Sequence, residues 1–211
     1  MMILSLSCFC YSQDITCSSK YDKHNVHSHE YFTVCYNTDN YCPNWVQWTL
    51  TDTEAIEAEN ANNRASSFTK CKVSYSAVSS DYTSSGYDRG HMCPNNDRDF
   101  SEEAAKTTFK MCNVCPQLAS LNRGCWKSVE ELGHIYAKKF GSVKITCGPI
   151  FEENSEYINS KIRVPVGFFK IFYVEGVMTE CYIFHQEDKT TPQPTTIEAI
   201  EDATGLKFSF N

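Results

Sequence analysis

The chain has 211 residues, of which 41% are apolar and 21% charged, with 19 Lys and Arg against 26 Asp and Glu and a net charge of −7. This apolar content supports one sizeable core and excludes intrinsic disorder, collagen-like repeats and coiled coils. The negative balance argues against a protein that coats nucleic acid through a broad basic surface, but it is compatible with an enzyme that grips one phosphate locally.

The first twelve residues, MMILSLSCFCYS, predict a secretory signal peptide, because they are uncharged, mostly apolar and carry small residues before a cut after Ser12. Removal of this segment leaves an even number of cysteines, which indicates disulfides and a secreted or periplasmic location. The apolar run is too short to span a bilayer, and no later segment is long enough. The predicted limits are residues 1–12 for the signal, 13–30 for a polar segment and 31–211 for a single domain.

The polar segment contains His24, His27 and His29. Such a cluster can hold a transition metal, but a solvated lead-in before the first strand is favoured, because no Cys or carboxylate stands beside it at ligand spacing. Aromatic and β-branched residues then predict strands over 31–36 and 45–50. Residues 52–67 are acidic and Asn-rich, which indicates a surface connection with one helical turn, and a short strand is predicted over 71–75.

Later segments predict a mixture of strands and helices without a βαβ rhythm. Residues 107–114 have strand character, and apolar residues spaced three and four apart predict one helix over 118–140. Strands follow over 143–150, 162–174 and 177–185, and a last helix begins at a cap provided by Thr195 or Thr196 and ends at Gly205. The fold class is therefore α+β, with a mainly antiparallel sheet.

The segment Asp88-Arg89-Gly90-His91 carries the chemistry. His91 has a side chain that titrates near neutrality and is the candidate general base, and Arg89 offers a guanidinium fork for phosphate oxygens. The favoured role of Asp88 is to orient Arg89 or the backbone rather than to react. Alternate residues share a face only in a regular strand, and Gly90 between them indicates a bend or a close backbone approach.

Two polar residues on the predicted helix 118–140 are candidates for a metal site. Asn122 and Glu130 would lie about 80° apart around the axis and about 12 Å apart along it. This separation favours Asn122 as the direct oxygen ligand and Glu130 as a residue that acts through a bound water. Mg²⁺ suits such a site, because this ion keeps most of its own waters.

Together these motifs resemble the DNA/RNA non-specific endonuclease family, a group of ββα-metal nucleases with mitochondrial and secreted bacterial members. The DRGH signature stands at residues 88–91 and is followed by Pro94. The second block is Asn113, Pro116-Gln117, Leu121-Asn122, Trp126 and Glu130, and outlying matches are Tyr36-Asn37, Pro43-Asn44-Trp45-Val46, Gly148-Pro149-Ile150, Val164-Pro165 and Lys170. Two ordered blocks with correct spacing are a strong signal. The resemblance covers residues 31–206.

The resemblance implies a ββα-metal fold, with a central, mainly antiparallel sheet flanked by helices. It implies His91 as general base, Arg89 as phosphate binder, Asn122 as the Mg²⁺ ligand and Glu130 as a helper in the water shell of the ion, with Mn²⁺ able to substitute. Asn113 and Gln117 would position the loop of His91 or contact the substrate. The implied substrates are DNA and RNA, cut to leave 5′-phosphate ends, and a homodimer and a protein inhibitor stay open as partners.

Four cysteines, Cys93, Cys112, Cys115 and Cys125, stand in the motif where the family as a whole is not expected to carry them. The Cys112 to Cys115 spacing is compatible with a redox pair or half a zinc site, but structural disulfides or small buried side chains are favoured because no second such pair exists.

Two alternatives remain open, a catalytically silent secreted protein that binds nucleic acid or another partner, and a DNA-only nuclease. Residues 81–140 hold as many basic as acidic residues, so binding to uncleaved nucleic acid should be weak and local.

Overall fold

The computed structural model describes residue 15, residues 24–73 and residues 75–210, with only the backbone of residues 24 and 25. The predicted signal peptide and much of the polar segment lie outside these residues. The strands are β1 His24–Ser28, β2 Thr33–Asn37, β3 Cys42–Thr51, β4 Asp88–His91, β5 Val114–Gln117, β6 Ser142–Ile150, β7 Tyr157–Ile158, β8 Ile162–Arg163, β9 Gly167–Val174, β10 Met178–His185 and β11 Gln193–Thr195. The α-helices are α1 Asp52–Glu59, α2 Glu102–Thr108, α3 Ala119–Asn122, α4 Cys125–Phe140 and α5 Ile197–Thr204.

Seven strands form the central sheet in the order β1-β2-β3-β6-β9-β10-β11, and every neighbouring pair is antiparallel. This confirms the predicted α+β class with a mainly antiparallel sheet. The polar segment was expected to precede the sheet, but His24–Ser28 pairs with β2 as its edge strand. Backbone hydrogen bonding therefore recruits a segment whose side chains give no strand pattern.

Both faces of the sheet are covered, because successive side chains of its strands point to opposite sides. On β9, Phe168 and Phe172 belong to the larger apolar cluster with Trp126 of α4. Ile171 belongs to the second cluster with Ile200 of α5. The sheet is thus covered by α4 on one face and by α5 on the other, and the larger cluster also includes Val114 and Cys115 of β5.

Several predicted elements differ from the structure. The strand predicted over 107–114 is wrong: α2 ends at Thr108, a 3₁₀ turn spans Met111–Asn113, and β5 begins only at Val114. The hydroxyls of Thr107 and Thr108 donate to carbonyls three residues earlier, which satisfies these β-branched residues inside a helix. Among the described residues of 71–75 there is no strand, and the connection after residue 52 begins with a full helix, α1, capped by Thr51.

The predicted helix 118–140 is two helices. The helix is interrupted at Gly124, between α3 and α4. Asn122 is therefore the last residue of a short helix, and Glu130 lies in the next one. The calculated 80° and 12 Å separation within one helix therefore does not apply. The last helix begins at the cap Thr196 and ends before Gly205, as predicted.

The cysteines are only partly oxidised in the part of the chain that the structure describes. Cys71 and Cys112 form a disulfide, and Cys35 is also disulfide-bonded. Six others remain thiols, among them Cys115, so residues 112 and 115 are not a redox pair with each other. None of the described helices is long and apolar enough to cross a membrane.

Candidate active site

The hairpin of β4 and β5 presents the DRGH segment. Its register is regular, with Arg89 opposite Pro116 and His91 opposite Val114, so Arg89 and His91 share one face. Phe68 confirms this arrangement by contacting both: its ring centroid lies 5.1 Å from that of His91 and 5.9 Å from the Arg89 guanidinium carbon. The candidate base and the candidate phosphate binder are therefore neighbours.

The His91 imidazole packs against two aromatic rings, Phe68 and Phe109, whose centroids lie 5.1 Å and 4.8 Å away. Its Nε2 is buried and has no hydrogen-bond partner among the described residues. Burial, assisted by the positive charge of Arg64, lowers the pKa of His91 to about 3. The ring is therefore neutral near pH 7, as a general base must be before it accepts a proton.

Arg89 is held by the 3₁₀ turn Ser79–Tyr82. Its Nε and Nη2 donate to the carbonyl of Ser79 at 3.1 and 2.7 Å, and its guanidinium lies 5.7 Å from the centroid of the Tyr82 ring. These contacts occupy one edge of the guanidinium. Among the described residues no hydrogen bond engages the other nitrogen, Nη1, which is a donor of the kind that binds phosphate oxygens.

Asn122 is oriented by Asp88. Its Nδ2 donates to Asp88 Oδ2 at 2.9 Å, while the Arg123 guanidinium donates to both Asp88 oxygens at 2.8 Å. Burial alone would raise the pKa of Asp88, but the hydrogen bonds from Arg123 and Asn122 hold it below its ordinary value. Nδ2 is thus engaged, and Asn122 Oδ1 has no hydrogen-bond partner in the part of the chain that the structure describes; an amide oxygen is a hard donor of the kind that Mg²⁺ prefers.

Asn113 does not reach a surface where substrate could bind. It is completely buried, its Oδ1 accepts from Cys93 N at 2.9 Å, and its Nδ2 donates to the carbonyls of Cys93 and Thr108. The backbone of Met92 also donates to its carbonyl. These hydrogen bonds hold the segment that follows His91 and support the loop-positioning role of Asn113, whereas its contact with substrate stays a prediction.

Gln117 is also completely buried, beneath Gly90 on the neighbouring strand. Its Oε1 and Nε2 have no hydrogen-bond partner in the described chain. Because Gln117 pairs with Asp88, its side chain lies on the face of the hairpin opposite Arg89 and His91, and its contact with substrate stays a prediction.

Glu130 lies on α4 beside Lys170 of β9. Its Oε1 is 3.7 Å from Lys170 Nζ, which in turn lies 4.0 Å from the centroid of the Trp126 ring. Burial raises the pKa of Glu130 to about 7, with the positive charge of Lys170 opposing the rise. Lys170 is therefore the direct partner of Glu130 in this conformation, and its proximity explains why a largely buried carboxylate is tolerated.

Sequence reasoning missed four side chains that complete the site: Arg64, Phe68, Phe109 and Arg123. Arg64 lies in the segment 52–67 that is interpreted as a surface connection with one helical turn, and Phe68 directly follows that segment. A basic and an aromatic residue among polar neighbours are the only signal there. Arg64 also lies over the Phe109 ring, 5.0 Å from its centroid. Tertiary packing places these side chains around His91, and no regular spacing in the sequence predicts their position.

Comparison with known proteins identifies the architecture. A family model described as DNA/RNA non-specific endonuclease matches residues 15–211. The chain belongs to this family. β4, β5 and the helices that follow are the ββα unit predicted from the motifs, so the DNA/RNA non-specific endonuclease resemblance and its ββα-metal fold are confirmed.

Relatives and a solved structure agree with the family assignment. A mitochondrial nuclease of Saccharomyces cerevisiae is 31% identical over 88% of this chain and 65% of its own length. Endonuclease G, mitochondrial, of Homo sapiens is 29% identical over 63% of this chain and 51% of its own, and a nuclease of Nostoc sp. is 26% identical over 85% and 71%. The chain thus spans about two thirds of the length of the yeast protein and about half the length of the human protein. A chain in the crystal structure of the EndoG/EndoGI complex has the same fold, with a TM-score of 0.80, 24% identity and coverage of 91% and 90%.

Proposed function

We propose that this protein is a Mg²⁺-dependent endonuclease that hydrolyses phosphodiester bonds of DNA and RNA with little sequence preference. One observation carries the proposal: β4 presents a neutral His91 with an unpartnered Nε2 beside Arg89, while Asp88 of the same strand orients the amide of Asn122. The family and the relatives named as nucleases support this activity.

The residues present fit a magnesium ion. Asn122 would hold it through Oδ1, and Glu130 would take part through water, which requires Glu130 to share its hydrogen bonding with Lys170. The ion, when bound, supplies positive charge that stabilises the phosphate and the departing oxygen. Mn²⁺ offers similar oxygen chemistry and is proposed as a substitute.

The side chains of this chain divide the remaining work. In a conformation that admits water past Phe68 to the buried Nε2, His91 accepts a proton from that water, and the resulting hydroxide attacks phosphorus in line with the 3′ oxygen. The bond from phosphorus to that oxygen breaks, which leaves a 5′-phosphate and a 3′-hydroxyl whose proton comes from solvent. Arg89 binds a phosphate oxygen through Nη1, and Asp88 keeps Asn122 in the orientation that exposes Oδ1.

Digestion assays test the proposal. Plasmid DNA, single-stranded DNA and RNA are incubated with Mg²⁺ and with EDTA, using wild type, His91→Ala and Asn122→Ala. His185→Ala is the matched control, because that histidine is exposed on β10. Loss of cleavage by a factor of about 10² to 10⁴ is expected for His91→Ala. If wild type cuts no better than His91→Ala, the proposed nuclease activity is refuted. If Asn122→Ala keeps full activity at low Mg²⁺, the proposed role of Asn122 as metal ligand is refuted.

The same assay separates the alternatives. Cleavage of both DNA arms with RNA left intact would identify a DNA-only nuclease, and gel-shift binding without cleavage across several divalent ions would identify a binding protein.

Location and partners belong to the same proposal. The Cys71–Cys112 disulfide supports an oxidising compartment and thus the secreted or periplasmic location, whereas the yeast and human relatives are mitochondrial. N-terminal sequencing of the mature protein decides whether cleavage occurs after Ser12.

The EndoG/EndoGI complex supports a protein inhibitor as a partner, to be sought by mixing and size-exclusion chromatography, which also reports a homodimer.

A further inference from the structure

A second cluster of potential metal ligands lies outside the proposed catalytic site. His29 follows β1, Cys71 lies in the loop after α1, and Cys112 lies in the 3₁₀ turn before β5. His29 Nε2 is 3.7 Å from Cys71 Sγ and 3.5 Å from Cys112 Sγ, and the three ligand atoms lie within 4.8 Å of one another. The two sulfurs are joined in a disulfide.

These distances are close to those of a zinc site. With Zn–S near 2.3 Å and Zn–N near 2.05 Å, tetrahedral angles place sulfur and nitrogen ligands about 3.6 Å apart and two sulfurs about 3.8 Å apart. Both nitrogen-to-sulfur distances in the protein already match this value. Only the two sulfurs need to move apart once their bond is reduced.

The chemistry of the cluster also selects the ion. Two thiolates and an imidazole suit Zn²⁺, whereas Mg²⁺ prefers oxygen ligands. Cys71 and Cys112 are 3% and 0% exposed, so the site is largely dry.

We propose that His29, Cys71 and Cys112 form a Zn²⁺ site that replaces the Cys71–Cys112 disulfide when the protein is reduced. A dithiol reductant supplies two electrons and two protons, the Cys71–Cys112 bond breaks, and the reductant becomes a cyclic disulfide. Zn²⁺ then displaces the two thiol protons to solvent and takes water as its fourth ligand.

The site ties the loop that covers His91. Two residues before Cys71, the backbone N–H of Thr69 donates to the carbonyl of Phe109 and the carbonyl of Thr69 accepts from the N–H of Met111, both at 2.9 Å. The same loop places Phe68 against the His91 ring and Arg64 over the ring of Phe109, which also packs against His91. Either the disulfide or the zinc site holds the loop in place, whereas the reduced, metal-free protein loses this tie.

Zinc titration of the whole protein tests the proposal. Oxidised and phosphine-reduced protein are titrated with Zn²⁺ against a chromophoric chelator in excess Mg²⁺, and Co²⁺ is used as the absorbing probe. We expect one tightly bound ion in reduced wild type, with thiolate-to-cobalt charge-transfer bands, and none in oxidised wild type. Equal binding to both forms, or no binding to the reduced form, overturns the proposal.

Variants assign the ligands. Binding should be lost in reduced His29→Gln, which retains the disulfide when oxidised, and in Cys71→Ser. Binding should persist in Cys181→Ser, a matched control on β10, and in Asn122→Ala. If Cys71→Ser does not fold, His29→Gln decides. Zinc lost from Asn122→Ala but kept by His29→Gln would place the ion at the catalytic site and refute the proposal.

Lys110 provides a further check, because its Nζ lies 3.4 Å from His29 Nδ1 and its charge opposes a cation. Lys110→Met should tighten zinc binding, whereas Lys106→Met, an exposed neighbour on α2, should not. Hydrogen exchange gives a readout independent of activity: zinc should restore protection of residues 60–73 in reduced wild type but not in reduced His29→Gln. If zinc fails to restore the protection of residues 60–73 in reduced wild type, the zinc site does not hold this loop in place.

Discussion

A side chain at Gly90 would collide with Gln117. A Cβ atom there would lie 2.0 Å from Gln117 Oε1 and 2.4 Å from Cδ, so Gln117 occupies the space that any other residue would need. We predict that Gly90→Ala destabilises the fold by about 1–3 kcal/mol and reduces cleavage, because the hairpin that carries Arg89 and His91 must shift. Urea unfolding and plasmid cleavage measure the two effects.

The double variant Gly90→Ala/Gln117→Ala is the control for that collision. Removing the Gln117 side chain opens the space, so part of the lost stability should return. A double variant as unstable as the sum of the two single variants would show that the collision is not the cause.

Arg64 is predicted to control the ionisation of His91. Burial is the larger cause of the lowered His91 pKa and the Arg64 charge the second, so Arg64→Gln should raise this pKa from about 3 while leaving it below the ordinary value of about 6.5. The ring is followed by NMR during a pH titration. Lys106→Gln should leave the value unchanged, and an unaltered pKa in Arg64→Gln would exclude the proposed charge effect.

At the scale of elements, the break between α3 and α4 is predicted to set the metal requirement. A Cβ at Gly124 would lie 2.3 Å from the carbonyl oxygen of Ser120, so Gly124→Ala must change the angle between the helices. This shift would weaken the bond from Asn122 to Asp88. Since residues that orient a metal ligand typically contribute 10–100-fold in affinity, we expect half-maximal activity at about tenfold higher Mg²⁺.

Lys127→Ala is the matched control for the helix break, because this residue is exposed on α4. An unchanged Mg²⁺ dependence in Gly124→Ala would show that the break does not position Asn122.

The sequence predicts the elements in which local pattern and tertiary packing agree. β3, β6, β10 and α5 follow from their apolar runs or caps. The apolar pattern of α4 extends back to residue 118, because Leu121 and Cys125 keep helical spacing. It therefore gives no sign of the interruption between α3 and α4, where Gly124 permits the backbone to turn. β1 fails for the opposite reason, because its pairing with β2 is set by tertiary contact and not by its polar side chains.

The candidate site divides in the same way. The family motif locates Asp88, Arg89, His91 and Asn122, which the structure brings into one hairpin and the adjoining helix. It does not reveal that Asn113 and Gln117 are buried, because an amide in a motif can serve the backbone as well as a substrate. The packing of Phe68 onto His91 depends on a loop with no periodic pattern, so the spacing of its residues carries no signal.

At the scale of the whole molecule, charge predicts a weak grip on nucleic acid. A groove of about 860 Å³ beside the site is lined by Arg64, Lys106 and Lys110, but also by Glu102 and Glu103. Few phosphates can then be neutralised, so the slope of log K against log salt should be no steeper than about −3. Binding of uncleaved DNA to His91→Ala in EDTA measures it, and a slope near −6 would reveal a broader basic surface.

The pH dependence of stability is predicted to contain a separable contribution from His134. Its Nε2 lies 3.2 Å from Asp97 Oδ1, and Asp97 also accepts from Trp48 Nε1 at 2.8 Å. Burial lowers the pKa of His134, but the Asp97 carboxylate outweighs it and raises the pKa above 6.5. A raised pKa means that the folded protein holds this proton more tightly than the unfolded chain, so the stabilisation is complete below about pH 6.5 and is lost as pH rises through the folded value.

The histidines with lowered pKa values, His27, His29 and His91, act in the opposite direction, since their protonation at low pH favours unfolding. The contribution of His134 is therefore measured as the difference in unfolding free energy between wild type and His134→Gln, from urea titrations at several pH values. We expect a difference of about 1.5–3 kcal/mol near pH 5.5 that shrinks toward pH 9. His185→Gln, an exposed control, should show no such trend. If the difference in unfolding free energy for His134→Gln is constant or grows with pH, the protonated His134–Asp97 pair does not stabilise the fold.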